Sequence, residues 1–167
     1  MTGNFLEKLF EHNNWANAQI IRACSVLSDE QLDAEPQSVT KGTIRRTLLH
    51  LVHSQQGYLL LLTMPVDKRL NVAPIFAEFQ ESARASGEGL LALASGDQKP
   101  FGSRLTTTDG FYTEPWVVML QVINHATEHR EQINSMMNAL GVTPPDIDGW
   151  SYGEAANALI PISTREK

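Results

Sequence analysis

A chain of 167 residues, 42% hydrophobic and 19% charged, can bury most of its apolar surface in one core and is expected to form a single domain over residues 1–167. Its formal net charge of -6 gives no electrostatic footprint for nucleic acid, and its one cysteine, Cys24, excludes an internal disulfide. The first residues lack a basic stretch followed by an apolar run, and the longest apolar runs, 58–62 and 116–120, are too short for a bilayer. A cytoplasmic protein without a membrane partner is expected.

Four long segments carry helical periodicity. The first, from about Asn4 to Leu27, leans Phe5, Leu6, Leu9, Phe10, Trp15, Ile20, Ile21 and Leu27 to one side, with Cys24 as a small core residue rather than a nucleophile. Ser28-Asp29-Glu30-Gln31 reads as a capping box opening a short extra turn that Pro36 ends. The second long helix should begin between Thr40 and Thr43 and run to about Thr63, carrying Ile44, Leu48, Leu51, Val52, Leu59 and Leu62, with Pro65 behind it. Gly57 within it costs about 1 kcal/mol relative to alanine, which points to close packing or to a site at that level.

The link that follows, 64–73, reaches roughly 33 Å when extended, about the length of a 20-residue helix, and so permits a parallel crossover. The third helix is placed near Pro74 to Ala94, with the proline in its first turn and Ser95-Gly96 at its end. Residues 101–112, rich in β-formers around Asp109-Gly110, predict a short hairpin. Thr113 is expected to cap the fourth helix, with Pro115 in its first turn and Leu140-Gly141 at its end. Its buried side is read as Trp116, Met119, Val122, Ile123, Ile133, Met136 and Met137. A short helix is expected around 151–158. The elements add up to an all-α four-helix bundle with a short β-hairpin before the fourth helix.

Four of the five histidines form two pairs, His50 with His53 and His125 with His129. Two imidazoles four apart stack on one helix face, so both can reach one ion with metal near 2.1 Å from nitrogen. A His-x-x-x-His pair alone also fits hydrogen-bonded surface histidines. A second histidine-bearing helix of similar length makes a three-nitrogen face, which leaves positions for water or substrate. Periodicity does not choose between His50 and His53 as the third member. Residue 126 is alanine, so the zincin motif is absent. Glu128 is read as a solvated ion-pair partner of Arg130 or of the first helix, and His12 as a polar residue near the bundle surface. Gln121 and Gln132 extend a polar lane along the fourth helix.

Several stretches in this order resemble the DinB/YfiT superfamily of metalloenzymes: Leu9-Phe-Glu-His-Asn-Asn-Trp15-Ala16-Asn17, Leu27-Ser-Asp-Glu-Gln-Leu32, Gly42-Thr-Ile-Arg-Arg-Thr-Leu-Leu-His50-Leu-Val, Asn124-His125-Ala-Thr-Glu-His129-Arg130-Glu-Gln132-Ile133, and Leu140-Gly141-Val-Thr-Pro144-Pro145-Asp146. The resemblance covers most of the chain. It implies an up-down-down-up bundle, frequent homodimers, and a divalent ion, nickel or zinc, on His50, His125 and His129. His53 stands where the family often has an acidic or polar residue. Characterised members of that superfamily include thiol-dependent transferases and isomerases, so the resemblance implies no single reaction.

The expected function is therefore metal-dependent chemistry on a small molecule. A three-imidazole ion lowers the pKa of bound water or thiol. With Cys24 in the core, the nucleophile must come from solution, and a low-molecular-weight thiol suits zinc or nickel somewhat better than water. Metal-dependent hydrolysis and a non-catalytic metal-binding stress protein are the alternatives, and no catalytic side chain of the protein itself is singled out.

Overall fold

The structure, a computed structural model, describes residues 4–37, 42–70 and 72–162. Helix α1 (Phe5–Cys24) begins where the Asn4 side chain accepts from the Leu6 N–H. The expected capping box forms: Ser28 accepts from the Gln31 N–H while Gln31 returns to the Ser28 N–H, opening α2 (Asp29–Asp33). Thr43 caps α3 (Ile44–Thr63) by accepting from the Arg46 N–H. The earlier of the two expected starts, Thr40, lies outside the described residues.

Helix α4 (Phe79–Ser95) begins later than expected. Residues 76–78 close a 3₁₀ turn instead, with the Glu78 N–H on Ile75 O, and Pro74 is buried in the extended link ahead of it. Phe76 pins that link, its ring lying under the Arg45 guanidinium and beside Phe79. Gly96 ends the helix at φ +90°, a left-handed conformation that glycine adopts freely. The glycines inside α4 mark close approaches to its neighbours. A Cβ at Gly87 would sit 2.7 Å from Asn14 Oδ1 of α1, and one at Gly89 would sit 2.7 Å from Leu59 of α3.

The hairpin is present as β1 (Leu105–Thr106) and β2 (Tyr112–Thr113), with Leu105 opposite Thr113. Pairing in β2 takes Thr113 away from the helix it was expected to cap. Glu114 occupies the N-cap of α5 (Pro115–Ala139) without a side-chain capping bond. Trp116 is also not on the buried side. It stands two residues from buried Val118, roughly 160° around the helix, is 62% exposed, and donates its indole N–H to Glu114. Asp148 caps the short α6 (Gly149–Ala155).

The four long helices make an all-α, up-down-down-up bundle in which α1 and α3 each pack against both α4 and α5. One apolar cluster gathers Ala16, Ile20 and Cys24 with Leu48, Leu51, Val52, Ile133, Met136 and Met137. A second gathers Phe10, Leu62, Leu90, Leu105, Val118 and Val122. Tyr58, Leu59 and Leu61 pack against this second cluster, so the run 58–62 belongs to the chain's own core rather than to a bare face. Because α3 and α5 are neighbours, side chains on their facing stripes can share one site.

Candidate metal centre

Three histidines meet on those stripes: His50 from α3, His125 and His129 from α5. His125 Nε2 lies 3.1 Å from His50 Nε2 and 3.1 Å from His129 Nε2. One ring nitrogen from each lies within 4.8 Å of the others. Ligand nitrogens around a tetrahedral ion with bonds near 2.1 Å are separated by about 3.4 Å, so the cluster is close to the spacing that an ion requires. No carboxylate joins this cluster among the described residues.

The hydrogen bonding around the rings fits the same role. His129 Nδ1 donates to Gln132 Oε1 at 2.6 Å, which places the ring proton on Nδ1 and leaves the Nε2 lone pair toward the cluster. Tyr58 meets the His125 ring edge-on, with centroids 5.5 Å apart. Burial, then the neighbouring His129 and His50, push His125 down to about 4. His50 is lowered as well, first by burial and then by His129 and His53. Both shifts favour the neutral imidazole, the form that can bind a metal.

His53 is absent from the cluster. Three residues on from His50, it projects about 60° away around α3, and its Nε2 is buried without a hydrogen-bond partner among the described residues. His12 lies elsewhere, with its Nε2 2.8 Å from Ile147 O and its ring packed in a triangle with those of Trp15 and Tyr152. Gln121 is exposed and makes no bond to the triad among the described residues, whereas Gln132 does.

Glu128 does not pair with Arg130. It is exposed, while Arg130 is 2% exposed and turned into the bundle, where its guanidinium donates to Asn13, Asn17 and Thr127. A hydrogen-bonded layer continues from there, with Asn17 Nδ2 on Gln55 Oε1 and Gln55 Nε2 on Ser86 Oγ. Sequence reasoning missed this layer. The available signal was Asn13 and Asn17, four apart and interleaved with Phe10, Ala16 and Ile20 on the apolar side of α1.

The triad opens on one flank. A cleft of about 520 Å³ is lined by His50 and His129 together with Glu35, Arg46, Thr47 and Gln132. A smaller groove of about 290 Å³ includes Ser54, Gly57, Tyr58, Leu61, Arg69 and Thr107. Gly57 of α3 lines this groove. An imidazole cluster that is bounded by protein on one side and reached by solvent on the other can hold an ion while leaving room for a second ligand.

Four long helices with three histidines converging between two of them define a helical bundle whose triad can hold a metal ion. The chain belongs to the DinB family, whose model matches residues 1–166. It is similar to Protein DinB of Bacillus subtilis (strain 168), with 27% identity over 162 residues, covering 89% of this chain and 94% of that relative. Its fold is similar to a crystal structure from Exiguobacterium sibiricum 255-15 described as that of a candidate DinB-family member. The TM-score is 0.67 at 19% identity, covering 89% of this chain and 99% of the other. No helix among the described residues is long and apolar enough to cross a membrane.

Proposed function

We propose that this protein is a metal-dependent enzyme that joins a low-molecular-weight thiol to a small electrophile, using His50, His125 and His129 to hold one divalent ion, nickel or zinc. The observation that carries the reading is the convergence of the three imidazole nitrogens beside an open cleft. A divalent ion there would supply Lewis acidity, lowering the pKa of a thiol or water near neutral pH. The protein's part is to present neutral imidazoles, with Gln132 fixing the His129 tautomer. The reaction forms one carbon–sulfur bond, the thiol proton passes to solvent, and the leaving group departs with its bonding pair.

Thiol from solution is favoured because the chain offers none of its own. Cys24 is fully buried, and burial pushes its thiol up to about 12. We place the protein in the cytoplasm as a homodimer, and the exposed apolar side chains of Trp116 and Leu120, one turn apart on α5, are the surface that supports a dimer.

Metal analysis of untagged protein, followed by turnover assays, tests this reading. Metal-dependent conjugation of glutathione, cysteine, bacillithiol or mycothiol to a small electrophile, retained in Cys24→Ala, is the expected result. Ester or amide hydrolysis without thiol would make the protein a hydrolase. Stoichiometric metal without turnover would make it a binding protein, and absence of metal binding would end the proposal.

A further inference from the structure

We propose that the cleft beside the triad selects a co-substrate carrying a carboxylate, and that Arg46 is the residue that binds it. The inference rests on the metal-site reading above and goes beyond it by assigning a ligand class and a recognition residue.

Arg45 and Arg46 are adjacent in sequence but have different surroundings. Arg45 is held by Asp29 and Asp33 of α2, and its guanidinium covers the Phe76 ring. It is occupied in fastening α2 and the crossover link to α3. The Arg46 side chain makes no hydrogen bond or ion pair among the described residues, although its backbone N–H is fixed by the Thr43 cap. It lines the 520 Å³ cleft together with His50 and His129. Glu35 lines the same cleft but forms no ion pair with Arg46, so the guanidinium charge is not neutralised by a carboxylate among the described residues.

Position matters as much as charge. Arg46 precedes His50 by four residues, so it stands one turn earlier on the same face of α3. A ligand whose sulfur lies at the triad and whose other end runs one turn toward the start of α3 therefore reaches the part of the cleft that Arg46 lines. Guanidinium and carboxylate match in a two-bond fork, which makes this group the natural partner for an acid of that reach. The Thr47 hydroxyl donates to Thr43 O, and Gln132 accepts from His129 through Oε1, which leaves its neutral amide nitrogen as a donor; among the described lining residues Arg46 is the permanently charged donor.

The test uses full-length protein loaded with cobalt(II), whose sulfur-to-metal absorption band reports thiolate binding directly. Titrations compare 3-mercaptopropionate and 6-mercaptohexanoate, each with its methyl ester, in wild type, Arg46→Ala and Arg46→Lys. In wild type at least one acid should bind about tenfold tighter than its ester. That preference should disappear in Arg46→Ala and return in part in Arg46→Lys, with cobalt affinity unchanged in all three. Thiolate binding without any acid preference, or a preference that survives Arg46→Ala, overturns the role of Arg46 and leaves the metal-site reading intact. Absence of cobalt binding, or of any thiolate band with cobalt bound, removes the underlying reading and this inference with it.

Discussion

Arg130 and Asn17 meet inside the bundle: Nη1 of Arg130 donates to Asn17 Oδ1 at 2.8 Å, one residue along α5 from His129. The same Nη1 donates to Asn13 Oδ1 at 2.8 Å, and Asn17 passes the chain on to Gln55 of α3 at 2.7 Å. The two helices that carry the triad are thus bridged through α1 by polar bonds. The guanidinium hydrogen-bonds to neutral oxygens, and burial draws it down to about 10 against the opposing pull of the nearby Glu131 charge.

Removing Arg130 should therefore be costly. Arg130→Ala would leave two buried amide oxygens unsatisfied and open a cavity, a loss of about 3 kcal/mol or more. Urea denaturation of the metal-free protein measures it. A loss below about 1 kcal/mol, the scale of an ordinary substitution, would mean that the side chain is not held as described.

The triad itself predicts a ranking of variants. His50→Ala removes one of three converging nitrogens and should abolish tight metal binding. His53→Ala should change affinity by at most about 10- to 100-fold, and Gln132→Ala, which frees the His129 tautomer, by a similar amount. Competition titrations with a chromophoric chelator give the order. A variant of His53 weaker than one of His50 would exchange their roles.

The parts that were legible in the sequence share a physical feature: each follows from local chemistry. The Ser28 box, the Thr43 cap, Gly96, Gly141 and the Asp109-Gly110 turn are fixed by residues within a few positions of one another. His125 and His129 belong together because of helical spacing alone. The choice of His50 came from resemblance, because its partner helix lies 75 residues away in sequence from His125. Trp116, Glu128 and Arg130 were misjudged for one reason. Their environments depend on how far a helix is turned about its axis against its neighbours, and polar side chains such as Asn13 and Asn17 give no sign of burial unless their partner is known.

The proposed dimer makes a separate prediction. Phe111 and Tyr112 of the hairpin and Trp116 and Leu120 of α5 are each more than half exposed, at 66%, 73%, 62% and 53%. Trp116 and Leu120 stand one turn apart on one face of α5, and exposed apolar side chains that are neighbours in this way mark an interaction surface. Light scattering at micromolar concentration should return a dimer mass, and charged substitutions such as Trp116→Glu with Leu120→Glu should convert it to monomer without unfolding. A monomer in the wild type would leave this surface without that partner.

Acid should act on the metal-free protein through the triad. The ordinary histidine value is 6.5; in the folded chain His125 lies near 4, and His50 is lowered too. Between those values the unfolded chain takes up protons that the folded chain refuses, so unfolding binds protons and stability falls as pH drops from about 6.5 toward 4. Above 6.5 both states leave these rings neutral and this contribution is flat. Metal binding should follow the same shifts. Three free imidazoles would cost about a thousandfold in affinity per pH unit below 6.5; with His125 held neutral and His50 lowered, the fall from pH 6.5 to 5.5 should be short of that. Urea midpoints of the metal-free protein and zinc affinities across pH 8 to 5 check both. A stability that is flat from pH 7 to 5, or a full three-proton dependence of zinc binding beginning at 6.5, would show that the rings are solvated rather than packed against one another.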